Sequence, residues 1–251
     1  MKRHKPSKQV AVVVPLSTRP ELTPDEEISL HHLRHFLGKY DKFMIAPDSL
    51  NVQHDDFAMI HFGDQYFGSV LNHCKLLVSP HFYKTFRNYQ YIFIHHLDSL
   101  VLSDQLSNWC ARGFDYLAPP WIKYAGSSYE GRPFENKIGN GGFSLRNIAS
   151  FLRVLRILRR PKPTLDYLRR ITGRRKRIED KHGEDIFWGT QAVNIDPSFQ
   201  VAPLETALQF GFECNPRLCL EMNRDHLPFG GHAWPRYDRA FWEPHLLPAN
   251  A

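Results

Sequence analysis

Residues 91–97 read Tyr-Ile-Phe-Ile-His-His-Leu and run into Asp98, and residues 9–16 form a second apolar run rich in Val. Both read as buried strands, and strands buried on both faces belong to largely parallel sheets with helices on either side. The segments between them supply those helices. Thr23-Pro24-Asp-Glu-Glu carries an N-cap, a first-turn proline and three acids that complement the helix dipole, which predicts a helix from there to Leu37, stopped at Gly38. Lys42–Ala46 and Phe57–Phe62 fit further strands, Ser69–Thr85 fits a helical stretch, and residues 115–121 fit a short strand stopped by proline. Strands alternating with helices in this way predict an α/β fold with a mixed, mostly parallel sheet flanked by helices. Such sheets bind ligands beyond the carboxyl ends of their strands, where Asp48 and Asp98 both fall.

The chain of 251 residues suits one core, read as a single domain over 9–240 between a basic tail (1–8) and a C-terminal tail (241–251). No stretch approaches the ~20 consecutive apolar residues of a membrane span. The basic start leads directly into the first strand rather than into a signal-peptide core, so the expectation is a cytoplasmic protein, peripheral on the inner face of the membrane. Four scattered cysteines argue for buried thiols over a disulfide framework. The net charge of +6 is uneven: residues 153–177 hold eleven Lys and Arg against Asp166. This basic helical insertion, at about 150–178, reads as a helix from Ser150 to Arg160, a Pro-Lys-Pro break and a second helix from Leu165 to Ile171. It is a solvated face, or it contacts anionic lipid or an anionic acceptor; nucleic acid ranks last, since no recognition motif accompanies the charge.

Four motifs carry candidate chemistry. Asp98, at the end of the strongest strand, is either the cap of the following turn or a ligand for a divalent cation. As a ligand it departs from the usual Asp-x-Asp signature, because Ser99 and Leu100 follow it. Gly139-Asn140-Gly141-Gly142-Phe143 lets backbone approach where a side chain would block, as a substrate-facing loop or a tight turn does, and Ser144-Leu-Arg-Asn then leads into a helix near Ile148. Glu184-Asp185 opens an aromatic helix and serves either its dipole or proton abstraction from an acceptor hydroxyl. His232 sits on a glycine-flanked turn beside Trp234.

The order of these elements, with Asp115-Tyr-Leu-Ala-Pro-Pro-Trp121 between the first and second, resembles the DUF5672 domain, a group of GT-A-like glycosyltransferases of bacterial surface-polysaccharide loci. It is also similar to the wider fringe and β3-galactosyltransferase pattern. The resemblance covers about Val10 to Pro235. It implies a GT-A-like fold and a hexosyltransferase that moves a sugar, with inversion, from a nucleotide-sugar donor to a hydroxyl of a glycan or lipid-linked glycan acceptor. The pathway implied is O-antigen or capsule synthesis. Asp185 would be the general base and Glu184 its support. Asp48, Lys75 and Asp98 would face the donor; Trp121, Asn140, Gly141, Gly142 and Phe143 would shape the acceptor pocket. Asp98 and His232 would hold Mn²⁺ or Mg²⁺. The alternative is a non-catalytic nucleotide-sugar or glycan-binding module, for which a candidate base is more than binding requires.

Overall fold

The computed structural model describes residues 6–122, 136–159 and 183–248. A six-stranded sheet in the order β3-β2-β1-β4-β7-β6 forms its centre. β1 (Lys8–Pro15), β2 (Asp41–Pro47), β3 (Ala58–Phe62) and β4 (Tyr89–His95) are mutually parallel. β7 (Phe143–Asn147) is antiparallel to both β4 and β6 (Tyr116–Leu117). Val10 to Val14 and Tyr91 to His95 are buried, as their unbroken apolar character requires. The chain leaves β1 toward β2 on one side and returns from β3 to β4 on the other. The crevice beyond the carboxyl ends of β1 and β4 is thus the topological switch point where such sheets bind ligands.

Local chemistry sets the helices. α1 (Pro24–Leu37) starts with a capping box: the Glu26 amide donates to Thr23 Oγ1 at 3.3 Å, and the Thr23 amide donates to Glu26 Oε2 at 2.7 Å. The helical stretch expected over residues 69–85 is two helices, α2 (Val70–Leu77) and α3 (Pro80–Thr85). Ser69 caps the first and Ser79 the second, and Pro80 lacks the amide that a continuous helix needs. α4 (Leu106–Ala111) follows β4, and α5 (Ile148–Arg159) follows β7. β7 itself corrects the sequence reading, in which Ser144-Leu-Arg-Asn only led into a helix. Phe143, Ser144, Leu145 and Arg146 are all buried between β4 and β6, including the polar residues that hid the strand.

Three two-residue strands make a second sheet, β5-β9-β8: β5 (Leu100–Val101), β8 (Gly211–Phe212) and β9 (Gly230–Gly231). The turn expected before His232 is therefore a paired strand. A Cβ on Gly230 would fall 2.3 Å from the Leu100 carbonyl oxygen, and one on Gly231 would fall 2.4 Å from the Trp242 ring. Residues 241–248 are not a tail either. Phe241 and Trp242 are buried, the Leu247 amide donates to His32 Nε2 at 2.8 Å, and the Pro248 carbonyl lies 3.1 Å from His31 Nε2.

All four cysteines are buried, as expected, and Cys74, Cys110 and Cys219 are free thiols. Among the described residues no helix is long and apolar enough to cross a membrane. Of the basic insertion, residues 160–182 lie outside the described part. Within α5, Arg153 is committed to the protein: it pairs with Asp196 and donates to Ser198 Oγ at 3.1 Å.

Candidate donor and cation site

A cavity of about 390 Å³ opens at the switch point. Pro15 at the end of β1, with Leu16 and Ser17 after it, lines one side, and His96, Leu97 and Asp98 after β4 line another. Tyr66 to Val70 and His73, leading into and along α2, close it. The lining is mainly apolar; Glu26 of α1, Ser17, Ser69 and His73 add polar groups, His96 and Asp98 supply those after β4, and no Lys or Arg is among its described residues.

At that side His96, Asp98 and His232 each offer one ligand atom, all within 4.8 Å of one another. A cation that holds nitrogen and oxygen at about 2.0–2.3 Å sets neighbouring ligand atoms roughly 3–4 Å apart, so the cluster fits. Nε2 of His232 lies 3.3 Å from Asp98 Oδ1 and is buried without a hydrogen bond. Gly142 leaves the space open: a Cβ there would fall 2.1 Å from His232 Nε2 and 2.7 Å from His96 Nδ1. The other face of His96 is occupied, since its Nε2 lies 3.2 Å from His73 Nε2.

Backbone pairing holds these groups in place. The His96 amide donates to the Gly142 carbonyl at 2.7 Å, the Trp234 amide to the Asp98 carbonyl at 3.1 Å, and the His232 amide to the Phe212 carbonyl at 2.9 Å. Asn140 Oδ1 accepts from the amides of Gly142 and Phe143, which turns its Nδ2 to His232 Nδ1 at 2.9 Å. The same Nδ1 lies 3.1 Å from Glu213 Oε1. A proton on Nδ1 suits Glu213 and frees Nε2 for a cation; a bare Nδ1 suits Asn140 and leaves the proton on Nε2, facing Asp98. Burial opposes charge on His232, yet the carboxylates of Asp98 and Glu213 outweigh it and lift the ring to about 10. Burial would likewise raise Asp98, but His232 overrides it and holds the carboxyl well below its ordinary range. Without a cation, then, a proton on His232 offsets the two acids, and a cation must displace it.

Glu184 and Asp185 begin α6 (Glu184–Thr190) and differ in environment. Glu184 is buried and takes the Arg146 guanidinium at two points, 3.0 and 2.9 Å. Arg146, also fully buried, further donates to Tyr83 Oη, Ser144 Oγ and the Gly141 carbonyl. Burial lifts the Glu184 carboxyl and Arg146 pulls it back; the two-point contact with an obligate cation keeps the pair ionised. Glu184 is thus a structural partner of Arg146, not a group open to substrate. Asp185 is half-buried, with Oδ1 accepting from the Ile186 amide at 2.8 Å. Its pKa is raised, first by burial and also by the nearby Glu213.

The structure therefore brings Asp98, His232, Asn140, Gly141, Gly142, Glu184 and Asp185 together around one loop. It does not bring in the others. Phe143 is fully buried among Phe93, Phe210 and Phe229, so its side chain belongs to the core and not to an acceptor pocket. Trp121 is 7% exposed, packed over Gly139 and beside Cys214, with no open face for a sugar ring. Asp48 is exposed beyond β2, one strand removed from the cavity, and Lys75 Nζ is held by Asn72 Oδ1 at 3.0 Å outside the lining. Sequence reasoning missed His96, His73 and Glu213. His96 was within reach: His96-Leu97-Asp98 has the spacing of Asp-x-Asp with an imidazole as first ligand. His73 and Glu213 carry no local signal.

The sheet, its antiparallel β7 and the crevice at its switch point define the GT-A glycosyltransferase fold. One solved structure that shares it is a glycosyltransferase involved in the glycosylation of the major capsid of PBCV-1 (TM-score 0.51, 11% identity, 94% of this chain and 98% of that one). Another is the galactosyltransferase LgtC in complex with donor and acceptor sugar analogs (TM-score 0.51, 11% identity, 96% and 98%). At that identity the likeness is one of fold. No curated protein matches by sequence. The family described as "protein of unknown function (DUF5672)" matches residues 56–232, and the chain belongs to it.

Proposed function

We propose that this protein is a hexosyltransferase that moves a sugar from a nucleotide-sugar donor to a hydroxyl of a glycan or lipid-linked glycan, with inversion, in the building of a surface polysaccharide. The observation that carries the reading is the His96–Asp98–His232 cluster at the mouth of a mainly apolar cavity on the sheet's switch point. The nucleoside fits the lining from Leu16, Tyr66 and Phe67, and its diphosphate then points to the cluster. A divalent cation there would neutralise the diphosphate as it leaves, a charge that no described Lys or Arg of the lining offsets. Asn140 and Glu213 orient His232, and Arg146 holds the Gly141 carbonyl and Glu184, which fixes the start of α6. Asp185 is the base that takes the acceptor proton; its raised pKa brings it nearer the working pH of such a group.

The test is a panel of nucleotide sugars with and without Mn²⁺, read by the shift in unfolding temperature, followed by turnover of Asp185→Asn. One donor should stabilise the protein, and more so with the cation. The variant should still bind that donor and lose about 10²–10⁴-fold in rate. Unchanged turnover in Asp185→Asn would remove it as the base, and no stabilisation by any donor would favour a binding module for another ligand.

A further inference from the structure

The ligand set of the cluster has a consequence for which ion it takes. Two of its three donors are imidazole nitrogens and only Asp98 supplies oxygen. Mg²⁺ demands hard oxygen ligands and gives up its water reluctantly, whereas imidazole suits the first-row transition ions. His96 is the residue that makes the difference, since a carboxylate at this position would give the oxygen-rich pair that Mg²⁺ accepts.

His96 can act this way only if the right nitrogen is bare. Its Nδ1 faces the space beside Gly142 that His232 Nε2 also faces. Its Nε2 faces His73 Nε2 at 3.2 Å, and a hydrogen bond between two imidazole nitrogens needs one proton between them. If His96 donates that proton, its Nδ1 lone pair points into the cluster. If His73 donates it, His96 carries its proton on Nδ1 and is lost as a ligand. A partner that accepts from the non-ligating nitrogen is what fixes the tautomer of a metal-binding histidine. His73 stands where that partner must be, and it is also a lining residue of the cavity.

We propose that the cluster is a transition-metal site that discriminates against Mg²⁺, that His96 sets this selectivity, and that His73 is the positioning residue that turns His96 Nδ1 toward the ion. The inference rests on the reading of the cluster as a cation site given above. It asks of His96 a role distinct from that of Asp98: nitrogen supplied in place of a carboxylate, held by a second histidine across the cavity wall.

The experiment uses the full chain and the metals alone, with no donor, so that it reads the site apart from turnover. Mn²⁺ is titrated with detection of the free ion by electron paramagnetic resonance, and Mg²⁺ is added as competitor. The bound Mn²⁺ should show ¹⁴N modulation from imidazole, and Mg²⁺ in about tenfold excess should displace little of it. In His96→Asp the nitrogen signature should weaken and Mg²⁺ should compete about tenfold better relative to Mn²⁺. In His73→Phe Mn²⁺ should bind about 10–100-fold more weakly, while His73→Gln, whose carbonyl accepts the same hydrogen bond, should keep most of the affinity. Circular dichroism on each variant separates loss of the site from loss of the fold, and His73→Gln keeps the test open if His73→Phe does not fold. Equal competition by Mg²⁺ in the unaltered protein, or an unchanged Mn²⁺/Mg²⁺ ratio in His96→Asp, overturns the selectivity. Full affinity in folded His73→Phe overturns the role of His73. If no metal binds while a nucleotide sugar still stabilises the chain, the cation site fails with this inference, and the donor-binding reading stands.

Discussion

Arg146 has five N–H donors, and the structure gives each an acceptor: Ser144 Oγ, Tyr83 Oη, the Gly141 carbonyl and both oxygens of Glu184. Both partners of the ion pair are buried, with side-chain exposures of 0% and 3%. Truncating Glu184→Ala strips the guanidinium of its counter-charge and two acceptors where water cannot replace them. Breaking a buried pair from one side costs about 3–5 kcal/mol. In a chain of this size each kcal/mol moves the unfolding midpoint by about 2–4 °C, so the expected fall is about 6–20 °C. The assay is urea unfolding followed by tryptophan fluorescence, with thermal scans alongside. The informative companion is the double variant Arg146→Met with Glu184→Leu, because an apolar pair of similar volume avoids the desolvation that the ion pair suffers. It should recover most of the lost stability while removing the guanidinium from the Gly141 carbonyl, which keeps Ser144 Oγ as a donor, and so should still impair donor or cation binding. A loss below about 1 kcal/mol in Glu184→Ala, the range of exposed pairs, would refute the argument. So would a double variant no more stable than the single one.

Gly142→Ala places a methyl group between His232 Nε2 and His96 Nδ1, so it should abolish Mn²⁺ binding in isothermal titration while the protein still folds. His95, buried with both ring nitrogens unpartnered, is pushed down by burial to about 3 against an unfolded value near 6.5. Between these values the unfolded chain takes up a proton that the folded one refuses. Stability from this group is complete above pH ~6.5 and falls by up to ~1.4 kcal/mol per pH unit as pH drops. Urea midpoints at pH 7 and pH 5 should show a smaller difference in His95→Leu than in the parent. Trp242→Ala should cost about 3–5 kcal/mol by denaturant unfolding, since Trp242 is fully buried against Gly231; a loss near zero would return residues 241–248 to the status of a tail.

The strands buried on both faces were legible because burial leaves an uninterrupted apolar run, as in Val10–Val14 and Tyr91–Ile94. β7 was not, since Ser144 and Arg146 are polar, and the burial of Arg146 is met by partners far away in sequence, Tyr83 and Glu184. The same reason hid the different settings of Glu184 and Asp185. Two adjacent acids look alike in a sequence, and only the position of Arg146 tells the one held in a buried ion pair from the one proposed as the base. Phe143 misled in the opposite sense. Its place after three glycines suggests exposure, but strand alternation turns it into an aromatic cluster. Asp98 and His232 carry a signal in strand-end and glycine-flanked position, while Glu213, which meets His232 Nδ1, leaves no trace in local pattern.

The small second sheet makes the candidate cation site a product of chain closure. His96 and Asp98 follow a central strand, but His232 reaches them only when β9 has docked between Leu100–Val101 and Gly211–Phe212, with Trp242 sealing its far side. A chain folded only through β7 would present two of the three candidate ligands. An ion held by all three, as proposed above, would act as a clasp on the C-terminal segment, and its binding energy would add to the stability of that closure by mass action. Removing such an ion should loosen the C-terminal segment first, ahead of the parallel sheet, and amide exchange in β8 and β9 would register that release.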